Sequence, residues 1–383
     1  MKIVYIANIR LPTEKAHGIQ IMNMCHAFAG LGHEVTLVVP NRKTHIEVDS
    51  FEYYDIANNF SILRTWTLDV VSWGRFGFIL QSFTFLLSSL RMLQKVKPDI
   101  VYGRDELMLC CASFITPVVW ETHTGAYNSA VRYLARKQVP IVAITQGLKD
   151  FYLERDVQSD SVLVAHDGVD LKRFGATYSD VSIRTKLGIT NDTVVVGYIG
   201  KYKTVGHSKG IDELVLAFSE ALQTTKNLHL LIVGPEEHEV TLVEALARSV
   251  GLEEKQYSIV THVQSKEVPR YMQACDILVM NYPAVAHFSK FMSPLKLFEY
   301  LASGKAIIAS DLPSIREVVS EKEVSLVKPS NHKELVESII MLSGNAELRE
   351  ALGRAAKNLS MRYSWDARAK HILDFVNHVR NDS

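Results

Sequence analysis

The chain has 383 residues, of which 47% are hydrophobic and 22% are charged, the composition of an ordinary soluble globular protein. This length exceeds what a single core usually holds, so we expect two domains. The 42 basic and 42 acidic residues cancel, which argues against nucleic acid as a partner.

Short apolar runs alternate with helical patterns along the chain. In the first half the predicted strands are Ile3–Asn8, Glu34–Pro40, Asp99–Gly103, Pro117–Glu121, Ile141–Thr145 and Val162–Ala165. In the second half they are Thr193–Ile199, Leu228–Val233, Ser258–Val263, Ile277–Asn281, Ala306–Ser310 and Ser325–Val327. Helices are predicted between most of them, for example at Ile19–Leu31, Gly210–Leu222, Val240–Val250 and Val268–Cys275. This alternation favours two doubly wound parallel sheets.

The polar stretch Asp170–Asn191 separates the two sets of strands, so we place the domains at residues 1–175 and 190–358. A last helix, over residues 360–383, begins near Tyr363-Ser-Trp365 with Ser364 as a cap. Its apolar face could cover either domain.

The uncharged run from Phe76 to Leu90, flanked by Arg75 and Arg91, is too short to cross a bilayer. An apolar helix of this length usually belongs to a core. The alternative is a surface helix whose aromatic residues, with Trp73 before them, dock on a membrane.

The four cysteines, at positions 25, 110, 111 and 275, lack the spacing of a metal site. We expect buried thiols in a reducing compartment, without disulfides. Since an apolar strand starts at once at the N-terminus, we expect no signal peptide and a cytoplasmic protein.

Three loops follow predicted strands, at the edge where parallel sheets bind ligands. The loop Asn8–Gly18 ends at a glycine before a helix but contains no GxGxxG, and such a glycine more often marks only a turn. The loop Gly200–Gly210 contains three lysines and three glycines without the GK[ST] of a Walker A loop. Such a loop is typical of an anion-binding site. The alternative is an ordinary basic loop that is exposed to solvent.

The third loop leads into the segment Ser293–Asp311. We predict a helix with Ser293 as N-cap, Pro294 at the first helical position and Gly304 after its end, followed by a buried strand. The helix start suits a phosphate, and Glu299 inside the helix could accept two hydrogen bonds from a ribose diol. The alternative is an ordinary capped helix in which Glu299 pairs with Lys296.

Several segments together identify a known family by resemblance. They are Lys201 with Lys209-Gly210, Leu230–Gly234, Thr261–Val263, Ala274-Cys-Asp276, Ser293–Asp311, His17-Gly18, Ala165–Asp170 with Phe174, and Tyr363-Ser-Trp365. Over nearly its whole length the chain resembles the nucleotide-sugar glycosyltransferases of the GT-B type, specifically glycosyltransferase family 4 (group 1). The resemblance implies an α/β fold of two Rossmann-like, doubly wound parallel-sheet domains facing a central cleft. It also implies an acceptor-binding first domain, a donor-binding second domain and a last helix that returns to the first.

The resemblance further implies that Lys201 and Lys209 clamp the donor diphosphate and act in catalysis with His123. The implied donor-binding positions are Gly18, Lys201, Lys209, Gly234, Val263, Phe291, Met292, Ser293, Pro294, Leu295 and Glu299. Phe291 departs from the family, because a glutamate usually stands there and contacts the donor sugar.

The family that the chain resembles retains the anomeric configuration and needs no divalent metal. No Asp-x-Asp pair is placed to chelate one, so we expect no metal and no cofactor, with lysines and a helix dipole neutralising the leaving group. His123 ends a predicted strand and matches the family's histidine beside the donor sugar, although histidines at strand ends often serve only as hydrogen-bonding groups. Arg104 and Glu121 end neighbouring strands and are candidate acceptor contacts.

We therefore expect a retaining glycosyltransferase that takes a sugar from a nucleotide diphosphate, with UDP preferred and GDP-mannose the second candidate. Its acceptor would be a glycan or a lipid-linked molecule, reached by peripheral contact with the inner membrane face. Phe291 motivates an alternative, a non-catalytic nucleotide-sugar-binding subunit of a glycan-assembly complex. A third hypothesis is an NAD-dependent oxidoreductase, but the chain lacks the glycine fingerprint of that class.

Overall fold

A computed structural model describes residues 1–176, 178, 181–204 and 206–381, except for the side chains of residues 181, 182, 204 and 381. The chain divides into two compact units. Unit 1 comprises residues 1–168 with the chain from residue 365 on, and unit 2 comprises residues 169–364. Six residues of predicted features lie outside the described residues. They are 177, 179 and 180 in the predicted domain join, 205 in the loop Gly200–Gly210, and 382 and 383 in the predicted last helix.

Unit 1 contains a parallel sheet of seven strands in the order β3-β2-β1-β4-β5-β6-β7. The strands are β1 Lys2–Ile6, β2 Glu34–Pro40, β3 Ser61–Thr65, β4 Ile100–Gly103, β5 Val118–Thr122, β6 Ile141–Ala143 and β7 Val162–Val164. The helices are α1 Ala16–Gly30, α2 Ser50–Tyr54, α3 Arg75–Val96, α4 Glu106–Ala112, α5 Ser129–Arg136, α6 Gln146–Leu153 and, from the end of the chain, α17 Trp365–Asn381. Helix α17 packs on α1.

Unit 2 contains a parallel sheet of six strands in the order β12-β11-β8-β13-β14-β15 and a separate antiparallel hairpin, β9-β10. The strands are β8 Val194–Ile199, β9 Lys203–Thr204, β10 His207–Ser208, β11 Leu228–Val233, β12 Tyr257–Val260, β13 Ile277–Met280, β14 Ala306–Ser310 and β15 Ser325–Val327. The helices are α7 Leu171–Phe174, α8 Val181–Lys186, α9 Ile211–Thr224, α10 Glu237–Ser249, α11 Val268–Ala274, α12 Ala286–Lys290, α13 Leu295–Ser303, α14 Pro313–Arg316, α15 His332–Gly344 and α16 Ala346–Ser360.

The central strands are apolar because helices cover both faces of each sheet. Every residue of β11 is buried, and its successive side chains enter different cores. Leu230 packs in one core with Phe218 of α9, whereas Leu231 packs in the other with Leu297 of α13. Burial on both faces explains why these strands lack the alternating pattern of a half-exposed sheet.

The division between the units falls at Gly168 and not at residue 175. Val169 and Phe174 are buried in the core of unit 2, and α7 packs against α13. The residues just after the last strand of unit 1 therefore already belong to the second core.

All twelve predicted strands are present, with ends displaced by up to three residues. Strand β3 and the β9-β10 hairpin were not predicted. Strand β3 lies at the sheet edge and is mostly exposed, so it lacks a continuous apolar run. The hairpin strands are two residues each, too short to produce a pattern.

Candidate functional site

The loop Gly200–Gly210 of unit 2, here called the lysine loop, lies where the order of the sheet reverses. Strand β8 pairs with β11 on one side and with β13 on the other, and β13 is reached only after the chain has built β11 and β12. Gly200 follows β8 and Asn281 follows β13. Ligands of doubly wound sheets bind beside such a reversal, at the carboxyl ends of the strands.

The lysine loop after β8 is held at both ends. Gly200 has a φ of 146°, and the backbone N–H of Lys209 donates to the Tyr202 carbonyl at 3.1 Å. Gly210 has a φ of 82°, and a Cβ built there would lie 2.1 Å from the Asn281 carbonyl oxygen. The Asn281 side chain also donates to the Gly210 carbonyl at 2.7 Å, which ties the loop to the end of β13.

Lys201 and Lys209 form a pair of like charges. Among the described residues neither has an acidic group within ion-pair distance. Burial, followed by repulsion from Lys201, lowers the pKa of Lys209 to about 8. Two ammonium groups held together without a counter-charge at the carboxyl edge of a sheet favour binding of an anion.

The helix that follows the loop containing Ser293 starts one residue later than predicted. Helix α13 begins at Leu295, and the cap residue is Pro294, with a ψ of 117° and no side-chain cap hydrogen bond. The prediction that Ser293 caps the helix is therefore wrong, and Ser293 is instead buried in the preceding loop. The predicted end is confirmed, because Gly304 has a φ of 71° and its N–H donates to the Leu301 carbonyl.

Phe291 and Met292 are half-buried in the loop that leads into α13. The Phe291 N–H donates to the His287 carbonyl at 3.2 Å, which closes helix α12, and Met292 packs against the core of unit 2. Position 291 therefore holds an aromatic side chain at the place where the family resemblance led us to look for a carboxylate.

Glu299 lies one turn into α13 and is half-buried. Burial raises the pKa of its carboxyl, while Arg173 and then Lys296 oppose that rise. No ion pair within 4.0 Å joins Glu299 to Lys296 in the part of the chain that the structure describes. The alternative reading of the helix as one stabilised by a Lys296–Glu299 pair is therefore wrong.

Gly234 and Val263 lie at the ends of the neighbouring strands. Gly234 follows β11 with a φ of 112°, and a Cβ there would lie 2.8 Å from the Gly200 carbonyl oxygen. Glycine is thus required where the ends of β8 and β11 approach. Val263 follows β12, is half-buried and packs against the core. Both residues lie at the same carboxyl edge of the sheet as the lysine loop.

In unit 1 a buried carboxylate orients the predicted histidine. His123 follows β5, and its Nε2 lies 2.5 Å from the Glu121 Oε1. Burial, followed by the charge of Arg104, lowers the pKa of His123 to about 4, so the ring is neutral at pH 7. Since a carboxylate can only accept, we assign the ring proton to Nε2, which leaves Nδ1 as an acceptor.

Glu121 itself is fully buried. Its oxygens accept hydrogen bonds from Gln20 at 2.5 Å, from the Tyr102 hydroxyl and from Arg368 at 2.9 Å. Burial opposes ionisation, but Arg368 and the His123 hydrogen bond hold the pKa of Glu121 well below its usual range. The prediction that Glu121 contacts an acceptor is wrong, because it has no accessible surface; it positions His123.

Arg104 and the His17-Gly18 pair follow β4 and β1, on either side of the reversal of the unit 1 sheet. Arg104 is half-buried, and its charge helps burial lower the pKa of His17 to about 4. Gly18 does not lie in a loop, since α1 begins at Ala16. A Cβ at Gly18 would lie 2.2 Å from the Tyr54 hydroxyl, and its N–H donates to the Lys15 carbonyl. Packing against Tyr54 explains this glycine without a ligand.

Helix α3 exposes most of its aromatic residues. Phe76 and Phe83 are 68% and 55% exposed, and Trp73, which lies just before the helix, is 65% exposed. The opposite face is buried and includes Gln81, Phe85 and Leu93. The prediction that these aromatics belong to a core helix is wrong for the exposed face. Over its 22 residues α3 is also long and apolar enough to span a membrane by length and composition, a weak criterion by itself.

Two family models match almost the whole chain. The model for glycosyltransferase family 4 matches residues 18–173, and the model for glycosyl transferases group 1 matches residues 181–359. The chain belongs to the group 1 glycosyltransferases.

Several glycosyltransferases are similar in sequence to this chain. An uncharacterized glycosyltransferase of Methanocaldococcus jannaschii is 24% identical over 67% of this chain and 62% of its own length. A D-inositol 3-phosphate glycosyltransferase of Jonesia denitrificans is 25% identical over 58% and 52%, respectively. A phosphatidyl-myo-inositol mannosyltransferase of Mycobacterium tuberculosis is 23% identical over 68% and 65%. The chain thus matches between half and two thirds of the length of these relatives.

Solved structures of this fold align over 98% or more of the chain. HepE of Anabaena, in complex with UDP and glucose, has a TM-score of 0.74 at 17% identity, covering 98% of this chain and 99% of its own. A glycosyltransferase of Rickettsia africae has a TM-score of 0.77 at 17% identity, covering 100% and 99%. The sucrose-phosphate synthase of Thermosynechococcus elongatus has a TM-score of 0.76 at 16% identity, covering 100% of both chains. At these identities the likeness establishes the GT-B fold.

Two buried charged residues of this glycosyltransferase were not predicted as site residues. Arg368 is distant in sequence from Glu121, and no local pattern indicates their contact. Lys296 was considered only as a partner of Glu299. The sequence did offer one indication, because Lys296 lies in the first turn of α13 among the apolar residues Leu295, Leu297 and Phe298.

Proposed function

We propose that this protein transfers a glycosyl group, with retention of configuration, from a nucleotide diphosphate sugar to a glycan or lipid-linked acceptor at the cytoplasmic face of a membrane. The observation that carries the proposal is the pair Lys201 and Lys209, held without an acidic partner among the described residues at the sheet reversal of unit 2. A diphosphate supplies the two negative charges that this pair lacks.

In this proposal unit 2 binds the donor nucleotide. The diphosphate lies on Lys201, Lys209 and the N-terminus of α13, where the helix dipole favours negative charge. Glu299, one turn further along α13, accepts hydrogen bonds from the ribose diol. UDP is the preferred nucleotide because UDP complexes exist for HepE, which shares the fold. The mannosyltransferase among the relatives makes GDP-mannose the second candidate.

The proposed reaction exchanges one bond at the anomeric carbon for another. An acceptor hydroxyl attacks that carbon on the face from which the nucleotide departs, so the configuration is retained. The bond between the anomeric carbon and the β-phosphate oxygen breaks, and its electron pair stays on the phosphate. The hydroxyl proton passes to a phosphate oxygen, while the lysines stabilise the departing diphosphate. In unit 1, the Nδ1 of His123 is left as an acceptor for the hydroxyl of a sugar.

We further propose that the reaction needs no divalent metal, because two lysines and a helix N-terminus supply the positive charge that a metal would otherwise bring. Activity measured in excess chelator and again with added magnesium tests this point. Equal activity in both is expected, and activity that is lost in chelator and restored by magnesium would contradict it.

The acceptor is proposed to be membrane-borne because of the exposed face of α3. Phe76 and Phe83, with Trp73 just before the helix, form its apolar part. Arg75 and Arg91 are exposed at either end of the uncharged run. Trp66 is also exposed, on a segment bonded to α3 through the Leu68 N–H and Thr84. An apolar surface edged with basic residues matches an anionic membrane, into which aromatics insert while cations meet headgroups. The four free cysteines are consistent with a cytoplasmic location.

Donor binding and turnover are tested separately. UDP-, GDP- and ADP-sugars are screened by thermal shift, because a ligand that binds only the folded protein raises Tm. The stabilising sugar nucleotide is then supplied in radiolabelled form with a membrane extract as acceptor. We expect label to enter the lipid or glycan fraction. Failure of every sugar nucleotide to raise Tm would contradict the proposal.

Phe291 favours one other function, a subunit that binds nucleotide sugar without turning it over. The family resemblance expects a carboxylate contact with the donor sugar at this position, and an aromatic ring cannot provide it. In the same pair of experiments this alternative predicts a thermal shift without transfer of label. Restoring the carboxylate with Phe291→Glu and finding new transfer activity would favour it further.

A further inference from the structure

Lys296, the second residue of α13, has a buried ammonium group. The residue is 8% exposed, and its Nζ has no hydrogen-bond acceptor among the residues that the structure describes. Within the described ranges it also has no acidic group within 4.0 Å, Glu299 included. Buried lysines are normally paired, so an unpaired one requires an explanation.

Aromatic rings surround this ammonium group. The Nζ lies 3.5 Å from the centroid of the Tyr198 ring, and 5.9 Å from the centroids of both Tyr282 and Tyr300. Cation–π attraction offsets part of the hydration free energy that the Lys296 ammonium loses on burial. It leaves the three N–H donors unused, however, and a methionine would fill the same space without that loss.

The ammonium group lies at the end of β8, beside the lysine loop. A Cβ built at Gly200 would be 2.6 Å from the Lys296 Nζ, so the absence of a side chain at Gly200 makes room for the ammonium. Lys201 is the next residue, and Lys209 is near enough for its charge to lower the pKa of Lys296, after the larger effect of burial. Three lysines thus converge on one place in unit 2.

We propose that Lys296 is a third cation of the donor site and donates to an oxygen of the β-phosphate of the nucleotide. This inference rests on the proposed function. Glu299, the proposed ribose contact, lies one turn further from the helix start than Lys296. A nucleotide whose ribose lies at Glu299 and whose phosphates extend towards the helix start brings the β-phosphate, the one furthest from the ribose, to the side of Lys296.

The β-phosphate is also where negative charge develops in the reaction. When the bond from the anomeric carbon breaks, its electron pair stays on a β-phosphate oxygen, and the proton from the acceptor hydroxyl goes to the same phosphate group. An ammonium already fixed by three rings does not have to reorganise in order to stabilise that charge. An anionic ligand also favours the charged form of Lys296 over the neutral one.

The test compares UDP with UMP, which lacks the β-phosphate. Calorimetry measures both ligands on wild-type protein, on Lys296→Met and on Lys333→Met, an exposed lysine of α15 in the same unit. We expect Lys296→Met to weaken UDP about 10- to 100-fold, as for loss of a hydrogen bond between charged groups, and UMP less than about twofold. Lys333→Met should change neither affinity.

Two results would overturn the inference. Lys296→Met could bind UDP as tightly as wild type does, or it could lose affinity for UDP and UMP equally. If wild type binds no nucleotide, the proposed function fails and this inference fails with it. If Lys296→Met does not fold, as judged by its thermal transition, the same comparison is made with Lys296→Gln.

Discussion

Arg368, on the helix that ends the described chain, donates a hydrogen bond of 2.9 Å to Glu121, which precedes it by 247 residues. The same guanidinium donates to the backbone carbonyls of His166 and Ala165 at 2.8 and 3.1 Å. Glu121 in turn holds His123. One arginine thus fixes the last helix to the ends of two strands of unit 1 and supplies the charge that keeps the histidine's partner ionised.

Replacing Arg368 with methionine should destabilise the protein strongly. Glu121 would be left as a buried carboxylate without its cation, and breaking such a pair costs about 3–5 kcal/mol. We expect a Tm lower by many degrees, measured by circular dichroism. Lys370→Met, an exposed residue of the same helix, should leave Tm nearly unchanged. Equal Tm values for the two variants would show that Arg368 does not hold the helix.

Replacing Lys209 with alanine should weaken UDP binding by about 1.5–3 kcal/mol, the usual range for a hydrogen bond to a charged group. Lys203→Ala is the matched control, because Lys203 lies in the same loop but is exposed. Calorimetry with UDP measures both variants. Unchanged UDP affinity in Lys209→Ala would refute the assignment of this lysine to the diphosphate.

UDP affinity should also fall in alkaline solution. Burial and Lys201 lower the pKa of Lys209 to about 8 in the free protein, and a bound diphosphate raises it again. Above pH 8 the free protein must therefore take up a proton in order to bind, and the association constant falls by up to about tenfold per pH unit. Titrations at pH 7, 8 and 9.5 measure this slope.

The control for the pH experiment is Lys209→Arg, whose guanidinium does not titrate in this range. The UDP affinity of this variant should stay constant between pH 7 and 9.5, the range over which that of wild type falls. A slope that persists in Lys209→Arg would assign the titration to another group, and Lys296 is the nearest candidate because its pKa is also lowered.

The sequence predicted the sheets well because their central strands are continuous apolar runs between helices. It predicted Lys201, Lys209 and Glu299 at one edge of one sheet, since they follow strands or open a helix there. It did not predict that Glu121 is buried, because strand ends at this edge are usually accessible to ligands. The burial of the Glu121 carboxylate depends on its hydrogen bond with Arg368, which lies on a helix distant in sequence. No local sequence pattern specifies such a contact.

The orientation of a long side chain is equally hard to predict from sequence. Spacing along a helix suggested that Lys296 reaches Glu299 at i, i+3, but the ammonium instead lies over the Tyr198 ring. The position of that ring depends on β8, and the space for the ammonium depends on a glycine at position 200. Both belong to a strand distant in sequence from the helix.

Replacing Glu299 with glutamine should weaken UDP by about 1–2 kcal/mol while the fold survives, because the amide keeps the shape but turns one acceptor into a donor. The variant should bind 2′,3′-dideoxy-UDP as wild type does, since that nucleotide has no diol to lose. Glu337→Gln, on the exposed face of α15, is the control. If wild type bound the dideoxy nucleotide as tightly as UDP, Glu299 would not be the ribose contact.

The exposed face of α3 should attach the protein to anionic membranes. We expect co-flotation with vesicles containing phosphatidylserine at low salt, less at high salt, and little with uncharged vesicles, because basic residues contribute through a screened attraction. The double substitution Trp73→Ala with Phe76→Ala should reduce co-flotation strongly, since both side chains are more than half exposed. Leu242→Ala with Met361→Ala, which are exposed apolar residues of unit 2, should not reduce it. Absence of co-flotation at low salt, or equal co-flotation of the two double variants, would refute membrane attachment through α3.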